Sequence, residues 1–358
     1  MAKVLVAMSG GVDSSVAAFL LKQKGFDVIG ATFDFSAFPK KSDGLKYAAC
    51  FNKETVTEAK KAAAKIGIEH RVFNLGEVFV KTVIENFYKE YQRGRTPNPC
   101  VRCNRFIKFN VLLKEAKKVG IDFVSTGHYA KIQYNRKEKK FLLKKAKDRT
   151  KDQSYFLYVL KQKELEHILF PLGNLTKEKV RGIAKEAGLA NYDRKDSQEL
   201  CFVADEDYRK FLNNFLKPEK GNIVDIKGRV LGTHNGFFNY TIGQRKGLGL
   251  SAQRPYYTLA IDWKKNQITV GFEEELYSST LFAKEVNFIS IEKIEKPLKV
   301  KARIRHKHVE QDAVISDGDN KKITVEFSKP QRAVTPGQAV VFYQKDTVVG
   351  GGIIYGRR

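Results

Sequence analysis

The sequence is poor in cysteine, methionine and tryptophan, and it has far fewer acidic than basic residues. Its 358 residues include only 4 Cys, 2 Met and 1 Trp. Four cysteines in a chain of this length are too few to build a disulfide scaffold. No apolar run approaches the roughly 18 residues needed to cross a bilayer, and Met1 leads directly into a strand pattern without a signal-peptide region. We therefore expect a cytoplasmic globular protein with no membrane partner.

The charge balance is strongly basic. Lys and Arg number 65 against 40 Asp and Glu, which gives a net charge of +25. An excess of this size favours a polyanionic partner, because each neutralised phosphate releases counterions. A lysine-rich proteome would produce part of the same excess without such a partner.

Strand and helix patterns alternate over residues 1 to about 130. This alternation predicts a parallel sheet that is covered by helices on both faces. Ligands bind such sheets at the carboxyl ends of the strands. Residues 9, 33 and 126–128 all follow predicted strand ends, so they are expected to line one pocket. The predicted strands are 3–8, 28–33, 71–74 and 123–126, and the predicted helices are 14–24, 56–66, 78–91, 105–119 and one capped by Thr176.

The second half of the chain has a different pattern. A basic hairpin is predicted over 131–147, and after about residue 205 short strands alternate with Gly-rich turns. The apolar alternation within 300–305 and 322–327 predicts half-buried antiparallel sheet, and strands at this spacing suggest a small barrel. We expect three domains, at 1–205, 206–283 and 284–358. The short strands are predicted at 221–231, 238–241, 256–262 and 267–271.

A glycine turn joins the first predicted strand to the first predicted helix, and it reads Ser9-Gly10-Gly11-Val12-Asp13-Ser14. The backbone N–H groups of such a turn and of the helix N-terminus can cradle an anion such as phosphate. Glycines permit positive φ and a close approach of the backbone to a ligand. The spacing matches neither common nucleotide fingerprint, and no lysine follows the glycines. An ordinary capped turn is the alternative interpretation.

The segment Thr96-Pro97-Asn98-Pro99-Cys100-Val101-Arg102-Cys103-Asn104 leads into a predicted helix. Cys103 is expected near the first helical turn, where the helix dipole and Arg102 or Arg105 would lower the pKa of its thiol. Cys100 and Cys103 are three residues apart and can point to one side. A third cysteine, Cys201, lies farther along the chain. A pair of buried structural thiols is the alternative, and a zinc site lacks an evident fourth ligand.

These motifs together resemble known families. SGGVDS resembles the pyrophosphate loop of the PP-loop ATPases (adenine nucleotide α-hydrolase-like), which split ATP between its α and β phosphates. The whole chain resembles the bacterial tRNA-specific 2-thiouridylases. That resemblance rests on SGGVDSS at 9–15, NPCVRCNRFIKF at 98–109, STGHYA at 125–130, KDQSYFLY at 151–158, SQELCF at 197–202, GQRKGLG at 243–249 and TPGQAVVFY at 335–343.

The resemblance implies an α/β PP-loop domain followed by a central domain and a C-terminal β-barrel. It also implies ATP-dependent adenylation of C2 oxygen in the wobble uridine (position 34) of tRNA, assisted by Asp13 and Mg²⁺, and then sulfur transfer from a persulfide. Cys201 would receive sulfur from a donor protein, and Cys103 would free it and leave a Cys103–Cys201 disulfide. Implied ATP contacts are Ala7, Met8, Ser9, Gly10, Gly11, Val12, Asp13, Ser14, Phe33 and Gly127. Expected tRNA contacts are Asn98, Pro99, Cys100, His128, Lys151, Asp152, Gln153, Arg303, Arg305 and Gln338.

One departure from the family pattern leaves two routes open. Many relatives carry aspartate where this chain has Cys100. Cys100, Cys103 and Cys201 are enough thiols to hold a [4Fe–4S] cluster with one iron open to sulfide or substrate. Cys50 has no implied role and is expected to be a structural or incidental thiol.

Two other functions stay open at this level. Another adenylating PP-loop enzyme, such as a glutamine-fed amidotransferase or a lysidine-type ligase, would not need Cys103 and Cys201. A catalytically silent tRNA-binding protein would show no ATP–pyrophosphate exchange.

Overall fold

A computed structural model describes residues 1–35, 53–193, 200–203, 207–318 and 322–358. Cys50 and residues 197–199 of the SQELCF segment lie outside these ranges. No helix in the described parts of the chain is both long and apolar enough to span a membrane.

A five-stranded parallel sheet organises the N-terminal part of the chain, with strand order β3-β2-β1-β4-β7. The apolar run Val4–Val6 is fully buried at its centre, which explains why the sequence shows no alternation there. The chain leaves β1 for β2 on one side and reaches β4 on the other, so the crevice beyond β1 and β4 is the switch point at which such sheets bind ligands. The strands are β1 Lys3–Ala7, β2 Asp27–Asp34, β3 Glu69–Asn74, β4 Phe123–Thr126 and β7 Ile168–Leu169.

Helices cover both faces of this sheet, as predicted. Two of the predicted helices are longer than expected and extend over 76–92 and 99–118. They are also less regular, because each contains a π turn, at Val80–Ile84 and at Asn104–Phe109. The second of them also begins earlier than predicted, at Pro99. The helices are α1 Val12–Gln23, α2 Lys53–Ile66, α3 Gly76–Phe79, α4 Glu85–Gln92, α5 Pro99–Cys103, α6 Asn110–Lys118, α7 Gln162–Leu165, α8 Lys177–Glu186 and α9 Tyr208–Asn213.

The middle of the chain forms a four-stranded sheet in the order β10-β11-β8-β9. Two strand predictions are wrong here. Residues 221–231 contain a turn, because the Asp225 carboxylate accepts from the N–H groups of Lys227 and Arg229 and Gly228 has a φ of +82°. Residues 238–241 are not a strand, since Phe237–Asn239 is a 3₁₀ turn. The strands are β8 Lys220–Val224, β9 Val230–Asn235, β10 Tyr257–Asp262 and β11 Gln267–Gly271.

The C-terminal strands close into a six-stranded antiparallel barrel, because β12 pairs with both β15 and β17. β12 runs through the expected domain boundary at residue 284. The predicted basic hairpin, β5 and β6, forms but extends the barrel sheet through a β6–β17 pairing. The strands are β5 Ala130–Asn135, β6 Lys140–Lys145, β12 Tyr277–Phe288, β13 Leu298–Arg303, β14 Gln311–Gly318, β15 Lys322–Arg332, β16 Ala339–Gln344 and β17 Thr347–Arg357.

The first domain and the barrel share one hydrophobic core. Tyr155 and Tyr158 from the first domain pack in the same cluster as Val341 and Tyr343 of the barrel. The Tyr155 hydroxyl donates to the carbonyl oxygen of Ala339 at 2.8 Å. The segment KDQSYFLY therefore forms an interface between domains, which burial of two tyrosines stabilises.

Candidate active site

The glycine turn lies at the carboxyl end of β1, and hydrogen bonds of the Ser14 hydroxyl stabilise it. The Ser9 N–H donates to Ser14 Oγ at 3.1 Å, and Ser14 Oγ donates to the carbonyl oxygen of Gly11 at 3.0 Å. Gly10 has a φ of +70°, and Gly11 is the N-cap of α1. The N-terminus of a twelve-residue helix therefore points into the switch-point crevice, which is the arrangement that binds phosphate groups.

Gly10 and Gly127 allow the backbones of neighbouring segments to pack directly against this turn. A Cβ on Gly10 would lie 2.8 Å from the carbonyl oxygen of Thr55, at the start of α2. A Cβ on Gly127, just after β4, would lie 2.7 Å from the Ser14 nitrogen and 2.8 Å from the Asp13 carbonyl carbon. Side chains are sterically excluded at both positions, so the turn is fixed from two sides.

Asp13, the acidic residue of the turn, contacts Lys177 and Tyr129, and the sequence predicted neither residue as part of the site. Lys177 Nζ lies 2.8 Å from both carboxylate oxygens of Asp13, and the Tyr129 hydroxyl donates to Asp13 Oδ1 at 2.8 Å. Lys177 is the first residue of α8, directly after the correctly predicted N-cap Thr176. The glycine turn has no lysine of its own, and Lys177, which lies 164 residues farther along the chain, supplies the cation.

The other expected ATP contacts lie around the turn but differ in exposure. Met8 is tied into the sheet, since its N–H donates to the carbonyl oxygen of Ala31 and its carbonyl accepts from Thr32 Oγ1. Phe33 is only 6% exposed and packs against Phe35 and Phe73. Its role as an adenosine contact stays a prediction.

The segment before the cysteines initiates a helix by a side-chain cap. Asn98 Oδ1 accepts from the Val101 N–H at 3.2 Å, and Pro99 occupies the first helical position. Both features are typical of a helix start. Along α5, Cys100 is exposed and Cys103 is buried.

The expected low pKa of Cys103 is wrong. Burial raises the pKa of this thiol to about 11, and the lowering effect of Lys108 does not offset it. Neither neighbouring arginine faces the thiol: Arg102 Nε donates to the carbonyl oxygen of Thr82 at 2.6 Å, and the Arg102 and Arg105 guanidinium groups lie over the Phe106 ring. Cys103 is the fifth residue of the helix that begins at Pro99 and lies beyond its first turn, so the helix dipole acts on it weakly.

The π turn places a different cation near the thiols. Lys108 follows Cys103 by five residues, and a π turn brings residues five apart onto the same side of the helix. Its charge lowers the pKa of both Cys103 and His128. Burial is the larger cause for His128, whose pKa falls well below its ordinary value, so the imidazole is neutral. His128 Nδ1 and Thr126 Oγ1 lie 2.7 Å apart.

Cys201 lies against the same hydrophobic core that contains Cys103. Its neighbour Phe202 packs edge-on against Phe87 and Phe79, and burial raises the pKa of the Cys201 thiol to about 11. Cys100, Cys103 and Cys201 are all free thiols. Among the described residues, no three His, Cys, Asp or Glu side chains come close enough to share a metal ion.

Two expected tRNA contacts are engaged inside the protein. The Asp152 carboxylate is 3% exposed and accepts from the N–H groups of Ala146 and Ser154 and from Ser154 Oγ. Arg303 Nη1 of the barrel lies 3.5 Å from Asp152 Oδ2. This ion pair joins two domains, and a direct contact of either side chain with tRNA stays a prediction.

The remaining expected contacts are spread over two domains. Gln153 Oε1 accepts from the Tyr129 N–H at 3.0 Å, so Gln153 is adjacent to the residue that binds Asp13. Lys151 is half-buried beside it. In the barrel, Arg305 Nη1 donates to the carbonyl oxygen of Arg332, and Gln338 Nε2 donates to carbonyl oxygens of the loop before α5.

A phosphate-type glycine turn at the switch point of a parallel sheet, with two β domains attached, defines a multidomain PP-loop protein. Family models described as the tRNA methyl transferase HUP domain, the tRNA methyl transferase PRC-barrel domain and the Aminomethyltransferase beta-barrel domain match residues 2–205, 209–272 and 278–354.

Curated relatives match over nearly the whole chain. The tRNA-specific 2-thiouridylase MnmA of Acetivibrio thermocellus is 50% identical over 98% of this chain and 99% of its own length. The protein of the same name from Halothermothrix orenii is 49% identical over 99% of both chains. The chain belongs to the tRNA-specific 2-thiouridylase MnmA family.

Proposed function

We propose that this protein is an ATP-dependent tRNA-uridine 2-sulfurtransferase that converts the wobble uridine of tRNA to 2-thiouridine. The observation that carries this function is the joining of a pyrophosphate-type turn and the free thiols Cys103 and Cys201 within one domain. Relatives at 49–50% identity carry the corresponding name. The net charge of +25 suits a polyanionic substrate such as tRNA.

In the first step the C2 oxygen of the uridine attacks the α-phosphate of ATP, and the bond to pyrophosphate breaks. The N–H groups at the start of α1 hold the leaving pyrophosphate, and Lys177 lies close enough to the turn to balance its charge. Asp13 is the carboxylate available to Mg²⁺, since its side chain is 32% exposed, and it fits this role when Lys177 releases it. A bound Mg²⁺ supplies charge neutralisation on the phosphates.

In the second step sulfur replaces AMP at C2. Cys201 carries the sulfur as a persulfide, which a separate donor protein supplies. Cys103 attacks the inner sulfur of this persulfide, the outer sulfur bonds to C2, and AMP leaves. A Cys103–Cys201 disulfide remains, and a dithiol reductant returns both thiols. Cys103 must lose a proton before it attacks, and Lys108 is the cation that favours the thiolate.

The persulfide route is supported over a [4Fe–4S] cluster by the separation of the thiols, since no three ligand-type side chains come together within the described residues. The persulfide route needs no cluster. We also propose a division into three domains, with the first boundary near residue 205 and the second moved from 284 to the start of β12 at Tyr277. In this proposal the two later domains bind tRNA and the protein is cytoplasmic.

The test compares cysteine variants for ATP-dependent 2-thiouridine formation. Cys103→Ser and Cys201→Ser should abolish it and leave tRNA affinity nearly unchanged. Cys100→Asp is the matched control: it removes a thiol from the same helix and should retain activity on the persulfide route. Loss of activity in Cys100→Asp, together with iron in the wild-type protein that is absent from the variant, would replace this route by the cluster.

A further inference from the structure

The loop before the cysteine helix is the place where the three domains meet. A Cβ on Gly94 would lie 2.8 Å from Ile261 Cγ2 of the middle domain, and Thr96 Oγ1 lies 3.3 Å from Thr241 Oγ1 of the same domain. The barrel contacts the same loop from another side.

The barrel contacts are made by the turn between β15 and β16. The Thr96 N–H donates to the carbonyl oxygen of Pro336 at 2.9 Å. Gln338 Nε2 donates to the carbonyl oxygens of Thr96 at 3.0 Å and of Pro97 at 3.2 Å. Gly337 has a φ of +96°, and a Cβ there would lie within 2.8–3.0 Å of the Thr96 backbone. One side-chain amide thus uses both of its N–H groups on the loop.

This loop sets where α5 begins. Asn98 follows Pro97 directly and caps the helix through the Val101 N–H. Cys100 and Cys103 are fixed to α5, so a shift of the Pro97 carbonyl would move both thiols. The backbone of Gln338 is itself fixed in the barrel, because its carbonyl accepts from the Ile354 N–H at 2.8 Å.

We propose that Gln338 is a positioning residue for the thiols of α5, through which the tRNA-binding barrel sets the geometry of sulfur transfer. The inference rests on the proposed function for the chemistry of Cys103, but the contact between Gln338 and the loop does not depend on it. Family resemblance predicts a direct tRNA contact for Gln338 instead. A contact residue changes tRNA affinity, whereas a positioning residue changes the rate at saturating tRNA.

The test variant is Gln338→Met, which keeps the length of the side chain and removes both donors. Gln344→Met is the matched control, because Gln344 ends β16, the strand that directly follows Gln338, and its Nε2 donates to the carbonyl oxygen of Lys299 within the barrel. Amide hydrogen exchange of residues 100–103 should be about tenfold faster in Gln338→Met and unchanged in Gln344→Met. The single-turnover rate at saturating tRNA should fall about 10- to 100-fold, with the tRNA dissociation constant nearly unchanged.

A second variant displaces the loop sterically. Gly337→Ala should reproduce the fast exchange in α5 and the low rate. Weaker tRNA binding in Gln338→Met, with α5 exchange and the saturated rate at wild-type values, would overturn the inference and favour a direct contact. A wild-type protein without thiolation activity would remove the proposed function, and the exchange measurement would still decide whether Gln338 holds α5.

Discussion

The Lys177–Asp13 pair provides a quantitative test of the nucleotide site. Replacing Lys177 by Met removes a cation from an ion pair whose lysine side chain is 11% exposed and whose aspartate side chain is 32% exposed. The methionine keeps most of the apolar stem. The Asp13 carboxylate then retains the Tyr129 hydroxyl, at 2.8 Å, but no other cation within the described parts of the chain contacts it.

The stability change follows from the geometry. Two unit charges 2.8 Å apart attract by about 6 kcal/mol at an effective dielectric of about 20. Desolvation of the lysine and solvent screening of the partly exposed aspartate offset most of this attraction. We therefore expect a loss of about 1–3 kcal/mol in the free energy of unfolding of the first domain. Each kcal/mol lost should lower the Tm of this domain by about 2–4 °C.

The catalytic change separates two roles of the lysine. If Lys177 contacts the triphosphate in the transition state, its loss should lower tRNA-dependent ATP–pyrophosphate exchange by about 10²- to 10³-fold. The variants Lys177→Met, Asp13→Asn and their combination form a double-mutant cycle for this rate. A direct phosphate contact predicts that Lys177→Met remains harmful when Asp13 is already replaced.

Either of two results would refute this reasoning. If Lys177→Met exchanged pyrophosphate at the wild-type rate and only melted at a lower temperature, the pair would be purely structural. If Lys177→Met had no further effect in the Asp13→Asn background, the lysine would act only by holding Asp13.

Three further outcomes are expected. Because burial raises the pKa of Cys103 to about 11, its alkylation by iodoacetamide, followed by mass spectrometry, should accelerate about tenfold per pH unit from pH 8 to 10; a plateau below pH 9 would contradict this pKa. In a denaturant titration, Asn98→Ala should lower the free energy of unfolding by about 1 kcal/mol because the Val101 N–H loses its acceptor. Asn98→Asp retains an acceptor oxygen and should retain most of the wild-type stability. Binding of tRNA should weaken steeply with salt if the net charge of +25 is used on phosphates, and a flat response in a binding titration would exclude that use.

The secondary structure of the first domain was largely readable from the sequence. The predicted strands at 28–33, 71–74 and 123–126 agree with β2, β3 and β4 to within two residues at each end. The reason is clearest for β2, which is buried over six consecutive residues, because buried parallel strands form continuous apolar runs. The cysteine helix begins at Pro99, six residues before the predicted start. Proline is compatible with the first position of a helix, because its fixed φ is helical and its missing N–H is not needed there. Local patterns failed most in the middle domain, where glycine and aspartate turns interrupt apolar residues.

The site divides in the same way. The glycine turn, the cap by Asn98 and the free cysteines follow from residues adjacent in the chain, so the sequence alone was sufficient to find them. The lysine that binds Asp13 lies 164 residues away from it, and Gln338 lies more than 240 residues from the loop it holds. No local pattern can encode such contacts, because they exist only after the domains pack.

The sequence by itself determined the chemistry that this protein carries: an anion-binding turn after a buried strand, thiols at 100, 103 and 201, and a large positive charge. Tertiary structure decided how those groups are tuned. Burial makes Cys103 a weaker acid than its position in the helix suggested. The packing of the domains places Asp152 and Arg303 in an interface and brings Gln338 into contact with the loop before the thiols. Ionisation and hydrogen bonding depend on which groups are removed from water together, and only the packed chain specifies that.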